Sequence, residues 1–424
     1  MKVFKFGGAS VKDVAAIKNA ANIIKHFSEE KILLVISAMG KTTNHLEKLI
    51  DAHFNKDIEQ EENLFNQLYQ NHFNIFTELI PESNKSAYVQ FNQLFEHLKN
   101  SLENTSIDEN FDRVYDQIIV YGELLSTFIN SSYFNQIGIK NNLIPAADYI
   151  ITNNTYREAK VNWELTERKI KTLDFENHNL IISQGFVAKG SEGFYTSLGR
   201  EGSDFSAAIF AYCLDAEELI IWKDVKGVLN ADPKYFEETQ VIPHLSYYDT
   251  IELAYYGASV IHPKTIKPLQ NKNIPLRVKS FVNINEPGTL VNNEKVELQT
   301  ASYIFKINQC LVSISPKDFS FIVEDNLKEI FQHLSDLKIR INVMQNTALS
   351  FSFAFDFQDK KLKALMDLLQ KQYLVKYNTD LELITIRNYN QKIIEKITNS
   401  KAILLELKSR NTIQLVVKGE ENKH

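Results

Sequence analysis

The sequence predicts an α/β protein, with a largely parallel sheet in front and a smaller α+β region behind it. Three observations carry this reading. The chain opens strand–helix–strand, with Val3 to Phe6 running into Gly7-Gly8, then an apolar-periodic helix, then the segment Lys31 to Ser37. That third segment is apolar at every position from Ile32 to Ile36. Such a run reads as a strand covered on both faces, as in a parallel sheet. Past a polar stretch from Gly288 to Glu297 the pattern changes to short β-α-β-β rounds.

The first helix places Val14, Ile17, Ala21 and Ile24 on one face, and Ser10, three residues before Asp13, reads as its start signal. From about Leu46 to Lys99 apolar residues recur among Asn, Gln and Glu, which predicts two or three helices broken near Pro81. This stretch reads as a surface helical insertion, with a partner surface or a lid as the other reading. Sheet signals resume at Ile118 to Val120, Leu143 to Pro145 and Leu180 to Phe186. A glycine-rich loop (Gly190 to Gly202), a helix (Asp204 to Leu214) and strands at Glu218 to Asp224 and Ile274 to Phe281 follow. Beyond the boundary, Ala301 to Ser315 is strand-like and Asn326 to Leu337 helical. Strands at Arg340 to Gln345 and Leu349 to Phe357 come next, the second with Phe351, Phe353, Phe355 and Phe357 in period two. Leu362 to Lys371 is helical and Leu381 to Ile386 a strand. A shorter round ends the chain: helix Gln391 to Thr398, strands Ala402 to Lys408 and Thr412 to Lys418.

Composition excludes several classes. The 424 residues suit two or three domains, and 44% hydrophobic with 24% charged residues excludes wholesale disorder. Lys and Arg number 47 against 53 Asp and Glu, a formal charge of −6, which argues against nucleic-acid binding by bulk charge. Cys213 and Cys310 are the only cysteines, so neither a disulfide scaffold nor a Cys-rich zinc module is expected, and a reduced, cytoplasmic setting fits. No apolar run approaches the ~20 residues of a membrane-spanning helix. The first eight residues lack the apolar stretch of a signal peptide.

Four segments carry candidate chemistry. In Lys5-Phe6-Gly7-Gly8-Ala9-Ser10 a lysine ends the first strand and two glycines permit close backbone approach, with a helix beginning just beyond. This is either an anion cradle with a fixed cation or a tight strand-to-helix turn. Gly40-Lys41-Thr42 looks like the end of a P-loop, but the glycine required five residues earlier is Val35. Ser37 to Asn44 still places hydroxyls at the carboxyl end of a buried strand, where open α/β sheets bind ligands. Gly199-Arg200-Glu201-Gly202-Ser203-Asp204 leads a glycine-rich loop into a helix, with an arginine suited to two-point carboxylate binding and an aspartate nearby. The other reading there is a capped helix with a solvated arginine. Lys223-Asp224-Val225-Lys226-Gly227-Val228 and Ala231-Asp232-Pro233-Lys234 end another strand in a turn of mixed charge. His244 and His262 lack metal-like partners at i+4 and read as structural.

These segments, with Tyr121-Gly122-Glu123-Leu124-Leu125-Ser126 and Tyr256-Gly257-Ala258-Ser259-Val260-Ile261-His262-Pro263, resemble in order the aspartate kinases of the amino-acid kinase family. The resemblance covers roughly 1–292, with a weaker one to tandem ACT regulatory domains beyond. It implies an αβα sandwich at 1–292 carrying the helical insertion at about 46–115, a first ACT-like unit at 300–380 and a second, truncated one at 381–424. The activity it implies is ATP-dependent phosphorylation of the β-carboxylate of L-aspartate, with Mg2+, on the route to lysine, threonine and methionine. Carried over by position, Lys5 and Asp204 are catalytic, while Ser37, Thr43, Glu123, Arg200 and Ser203 bind aspartate. Lys5, Gly7, Gly8, Ser10, Lys223, Asp224, Lys234, Ser259 and Val260 bind nucleotide. No protein metal ligand is implied. A homodimer, and an amino-acid effector at the ACT region, are expected.

The chain departs from the family pattern at Glu201 (usually Gly), Lys223 (usually Thr), Leu229 (usually aromatic) and Ser259 (usually Lys). The effector loop aligns with Asn342 to Ala348 and lacks its usual acidic residues, so weak or absent feedback inhibition is expected. A non-catalytic amino-acid sensor and a kinase for another amino acid are the alternative readings.

Overall fold

A computed structural model describes residues 1–105, 110–236, 238–258, 261–295, 300–318, 320–399 and 401–418. The chain forms two compact units. The first comprises Met1–Val228, Val241–Ile251 and Val260–Val296; the second comprises Leu229–Gln240, Glu252–Ser259 and Glu297–His424.

The first unit opens with β1 (Lys2–Phe6), α1 (Val14–His26) and β2 (Ile32–Ile36). Asp13 rather than Ser10 caps α1, its carboxylate accepting the Ala16 N–H at 2.8 Å. Ser10 lies instead in a single 3-10 turn, Gly8–Val11. The expected insertion is helical: α2 (Thr42–Phe54), α3 (Ile58–Leu79) and α4 (Lys85–Glu103), with the break at Pro81. Next come α5 (Phe111–Ile119), α6 (Tyr121–Gln136), β3 (Asn142–Ile144), α7 (Ala146–Tyr149), β4 (Ile151–Thr152) and α8 (Trp163–Ile170). The strand expected at Ile118 to Val120 is therefore the junction of two helices. A three-residue apolar run buried on all sides has no period of its own, so it fits either element. The remaining elements are β5 (Leu180–Gln184), β6 (Val187–Gly190), β7 (Tyr195–Ser197), α9 (Gly202–Cys213), β8 (Glu218–Lys223), β9 (His244–Ser246), α10 (Tyr247–Tyr256), α11 (Pro263–Lys272), β10 (Leu276–Ser280) and β11 (Thr289–Asn292). The expected Gly190 to Gly202 loop thus contains a strand, β7.

Eight strands form one sheet in the order β3-β5-β2-β1-β8-β10-β11-β9, parallel except at β10–β11. Every residue of β2 and β5 is buried, as expected of strands covered on both faces. Phe4 and Phe6 pack against Trp222 and tie β1 to β8. From β1 the chain steps outward to β2 and β5, then returns to β8 on the opposite flank. This reversal opens a crevice at the carboxyl ends of β1, β2 and β8. A separate three-stranded sheet, β4-β6-β7, stands beside it.

The second unit carries β12 (Ser302–Pro316), α12 (Glu324–Asp336), β13 (Ile341–Asn346), β14 (Phe351–Asp356), α13 (Asp359–Leu369), β15 (Tyr373–Arg387), α14 (Gln391–Thr398), β16 (Ala402–Lys408) and β17 (Thr412–Lys418). They form one antiparallel sheet, β13-β14-β12-β15-β17-β16. Phe351, Phe353 and Phe355 share a buried face with Ile330, Leu334, Leu365 and Leu369 of α12 and α13. Among the described residues no helix is long and apolar enough to cross a membrane.

Candidate active site

A cavity of about 820 Å³ lies at the crevice, within the first unit. Its floor is the end of β1. Lys5 is held between Val35 of β2 and Ile221 of β8 by parallel registers on both sides. Its ammonium meets Asp204 Oδ1 at 2.6 Å, and both side chains are almost wholly buried. Burial pushes the Asp204 carboxyl up, but Lys5 and then Lys223 outweigh it, and the net shift is downward. Asp204 is therefore an anion at neutral pH, stabilised by the cations it orders.

Gly7 and Gly8 come just past Lys5, and at Gly8 only a bare backbone fits. A Cβ on Gly8 would come within 2.8 Å of the Ala38 carbonyl, and one on Gly7 within 3.5 Å of Lys5 Nζ. The Gly40 N–H donates to the Gly8 carbonyl at 3.0 Å, locking the two loops together. Ser10 is buried behind them, its hydroxyl 3.4 Å from the Trp222 carbonyl. Ser37 and Thr43 line the cavity from the end of β2 and the first turn of α2.

Glu123 reaches the cavity from the first turn of α6 and is only 4% exposed. Burial pushes its carboxyl up to about 8, against the Ala38 N–H and Lys5, which pull it down. Its Oε2 is buried with no hydrogen-bond partner among the described residues. A buried acceptor left open is costly to the folded chain unless a ligand donor fills it.

The opposite wall is the turn into α9. Gly199 sits at φ +77°, Arg200 is exposed at the tip, and Glu201 takes φ +55° as the residue capping the helix. Ser203 and Asp204 lie in the first helical turn, where the helix dipole favours negative charge. The turn is wedged close: a Cβ on Gly185 would fall 2.4 Å from that of Ser203. Lys223 and Asp224, at the end of β8, complete the lining.

The structure thus gathers Lys5, Gly7, Gly8, Ser10, Ser37, Thr43, Glu123, Arg200, Ser203, Asp204, Lys223 and Asp224 around one cavity. Lys234 belongs to the second unit, in the turn after Asp232. Ser259 and Val260 lie outside the described residues. Among those described, no group of three or more His, Cys, Asp or Glu side chains is placed to hold a metal ion. His262 caps α11, accepting the Lys264 N–H at 3.1 Å, and His244 meets Asn292 at 2.6 Å.

Sequence reasoning missed part of the wall: Glu47, Tyr115, Arg157, Glu158 and Ser197. The Tyr115 hydroxyl donates to Glu47 at 2.8 Å, and the Arg157 guanidinium stacks on the Tyr115 ring at 4.3 Å. Glu47 had a readable signal, since it lies four residues after Thr43 on the same face of α2. Arg157 had none, because its position depends on a backbone φ of +65°.

The chain compares with known proteins as follows. Residues 1–280 match the model of the amino acid kinase family. The bifunctional aspartokinase/homoserine dehydrogenase of Buchnera aphidicola is 28% identical over 99% of this chain, which spans 55% of that protein. Aspartokinase 2, chloroplastic, of Arabidopsis thaliana is 29% identical over 99% of this chain and 81% of its own length. Among solved structures, E. coli aspartokinase III in complex with aspartate and ADP superposes with a TM-score of 0.82 at 23% identity, covering 99% of this chain and 96% of that one. With two thirds of its length matched to the family model and its fold shared along nearly the whole chain, the protein belongs to the amino acid kinase family.

Proposed function

We propose that the chain is an aspartate kinase, transferring the γ-phosphoryl group of ATP to the β-carboxylate of L-aspartate to give 4-phospho-L-aspartate. The observation that carries the reading is the buried Lys5–Asp204 pair at 2.6 Å, at the end of the central strand and in one cavity with Glu123 and Arg200. The names of the Buchnera and Arabidopsis relatives support the same activity.

The chemistry needs no general base. A carboxylate of pKa near ~4 is already ionised at neutral pH. One of its oxygens forms a bond to the γ-phosphorus, the bond from that phosphorus to the β–γ bridging oxygen breaks, and ADP leaves with the electron pair. Two anions must meet, so the work falls to fixed cations and N–H donors. Lys5, held by Asp204, sits where charge develops on the phosphoryl oxygens. The bare backbone of Gly7 and Gly8, with Ser10, Lys223 and Asp224, suits the phosphates, and Lys234, Ser259 and Val260 are assigned to the rest of the nucleotide. Arg200 grips a substrate carboxylate, Ser37, Thr43 and Ser203 offer hydroxyls, and the open Oε2 of Glu123 takes the substrate ammonium. Mg2+ bound with the nucleotide would supply further neutralisation of the phosphates, and Asp204 and Asp224, which line the cavity, are the carboxylates that would hold its hydration shell.

The reading extends to organisation: a catalytic unit at 1–292, ACT-type units at 300–380 and 381–424 sharing one sheet, an amino-acid effector there, a homodimer and a cytoplasmic setting. Incubation with L-aspartate, ATP and Mg2+ and trapping with hydroxylamine tests the activity. Aspartyl hydroxamate formed in proportion to ADP is the expected result. Nucleotide-independent amino-acid binding with no hydroxamate would point to a sensor, and a hydroxamate from a different amino acid would redirect the substrate assignment.

A further inference from the structure

We infer that Asp116 is a positioning residue that sets the Arg200 turn and thereby the grip on the substrate's carboxylate. The inference rests on the aspartate kinase reading of the site. Asp116 lies on α5, 0% exposed, and does not line the cavity. Its Oδ2 accepts the Arg157 N–H at 2.8 Å and the Ser197 N–H at 2.9 Å, and its Oδ1 accepts the Ser197 hydroxyl at 2.6 Å. One carboxylate thus pins two separate stretches of cavity wall.

The strand it pins needs such a partner. Among the described residues β7 pairs with β6 on one side only and is an edge of its sheet. Its other side is satisfied by groups from α5 and from the 157–159 segment. The Gln117 side chain exchanges hydrogen bonds with the Tyr195 N–H and carbonyl at 3.0 and 2.9 Å. The Ala159 N–H donates to the Ser197 carbonyl at 3.0 Å. Adjacent side chains of one helix, Asp116 and Gln117, therefore act as a substitute strand. From Ser197 the chain reaches Arg200 in three residues. Gly199 on the way is in van der Waals reach of the pinned segment, since a Cβ there would lie 3.0 Å from the Arg157 carbonyl. Arg157 itself holds φ +65°, a conformation costly for a residue with a side chain, and its N–H is bonded to Asp116 while its guanidinium meets Asp112 and the Tyr115 ring. The staple leads to the Arg200 side of the cavity, whereas the Gly7-Gly8 cradle is built on β1 and β2.

The test is steady-state kinetics with each substrate varied in turn. Asp116→Ala should raise KM for L-aspartate by about tenfold or more, with KM for ATP within about twofold. Asp116→Asn, which keeps an oxygen for both backbone N–H groups and lets the Ser197 hydroxyl turn to accept, should bring KM for aspartate back to within about threefold of wild type. If the alanine variant does not fold, Asp116→Glu keeps the acceptor but displaces it by a methylene, and should show the same selective rise. An unchanged KM for aspartate in a folded variant, or equal losses for both substrates, would overturn the inference. A wild-type chain inactive on aspartate would sink the functional reading instead, which separates the two failures.

Discussion

Charge placement at single residues decides what this site can do. Lys5 is a cation fixed before substrate arrives, so Lys5→Ala should lower the rate of phosphoryl transfer by about a thousandfold; single-turnover hydroxamate formation measures it. Glu123 gives a pH signature. Its folded pKa of about 8 stands above its ordinary 4.5, so its proton stabilises the fold fully below 4.5, and that contribution is lost as pH rises through about 8. Thermal melts of wild type should fall relative to Glu123→Gln across that window. An ammonium ligand needs the ionised form, so KM for aspartate should decrease as pH rises toward about 8. A flat profile in wild type would contradict the assignment of the ammonium to Glu123. Glu201 shows what the sequence does and does not disclose. Its departure from glycine was visible, but its φ of +55° was not. A side chain there costs about 1–2 kcal/mol, partly offset by the chain entropy that glycine loses, so Glu201→Gly should stabilise by about 0.5–1 kcal/mol in urea titrations.

At the level of elements, the site depends on how tightly the α9 entrance is wedged against the end of β5. Gly185 admits no side chain, with Ser203 only 2.4 Å from where its Cβ would sit. Gly185→Ala should displace the first turn of α9, carry Asp204 away from Lys5 and lower kcat by about a hundredfold or more. Near-normal turnover would show that the wedge is not what holds the pair. Most elements were legible because their patterns are regular: α14, β16 and β17 begin and end where the sequence places them. Two of the misses share a physical cause. The α5–α6 junction is a short apolar run with no period, and β7 is three residues long inside a glycine-rich stretch. Neither length suffices for a pattern. The Asp116 staple was hidden for the same reason, since it bridges 81 residues of sequence to an element that was itself unread.

On the scale of the whole molecule, among the described residues the sheet of the second unit ends at β16, which pairs only with β17. Ile403, Leu404 and Leu407 on that edge are each about 40% exposed (42%, 41% and 39%). Apolar edge strands are templates for pairing with another chain. Light scattering should give twice the chain mass, and Ile403→Lys with Leu407→Lys should return it to one. A double-lysine variant that stays dimeric would place the contact elsewhere.

The position of Lys5 has a temporal corollary. One flank of its strand is closed by residues 218–222 and its counter-ion is residue 204, both far along the chain. Contacts so distant along the chain form late. Nascent or prematurely terminated fragments ending before that point carry the ammonium but have no scaffold to aim it. The ammonium therefore stays unaimed until translation has delivered α9 and β8.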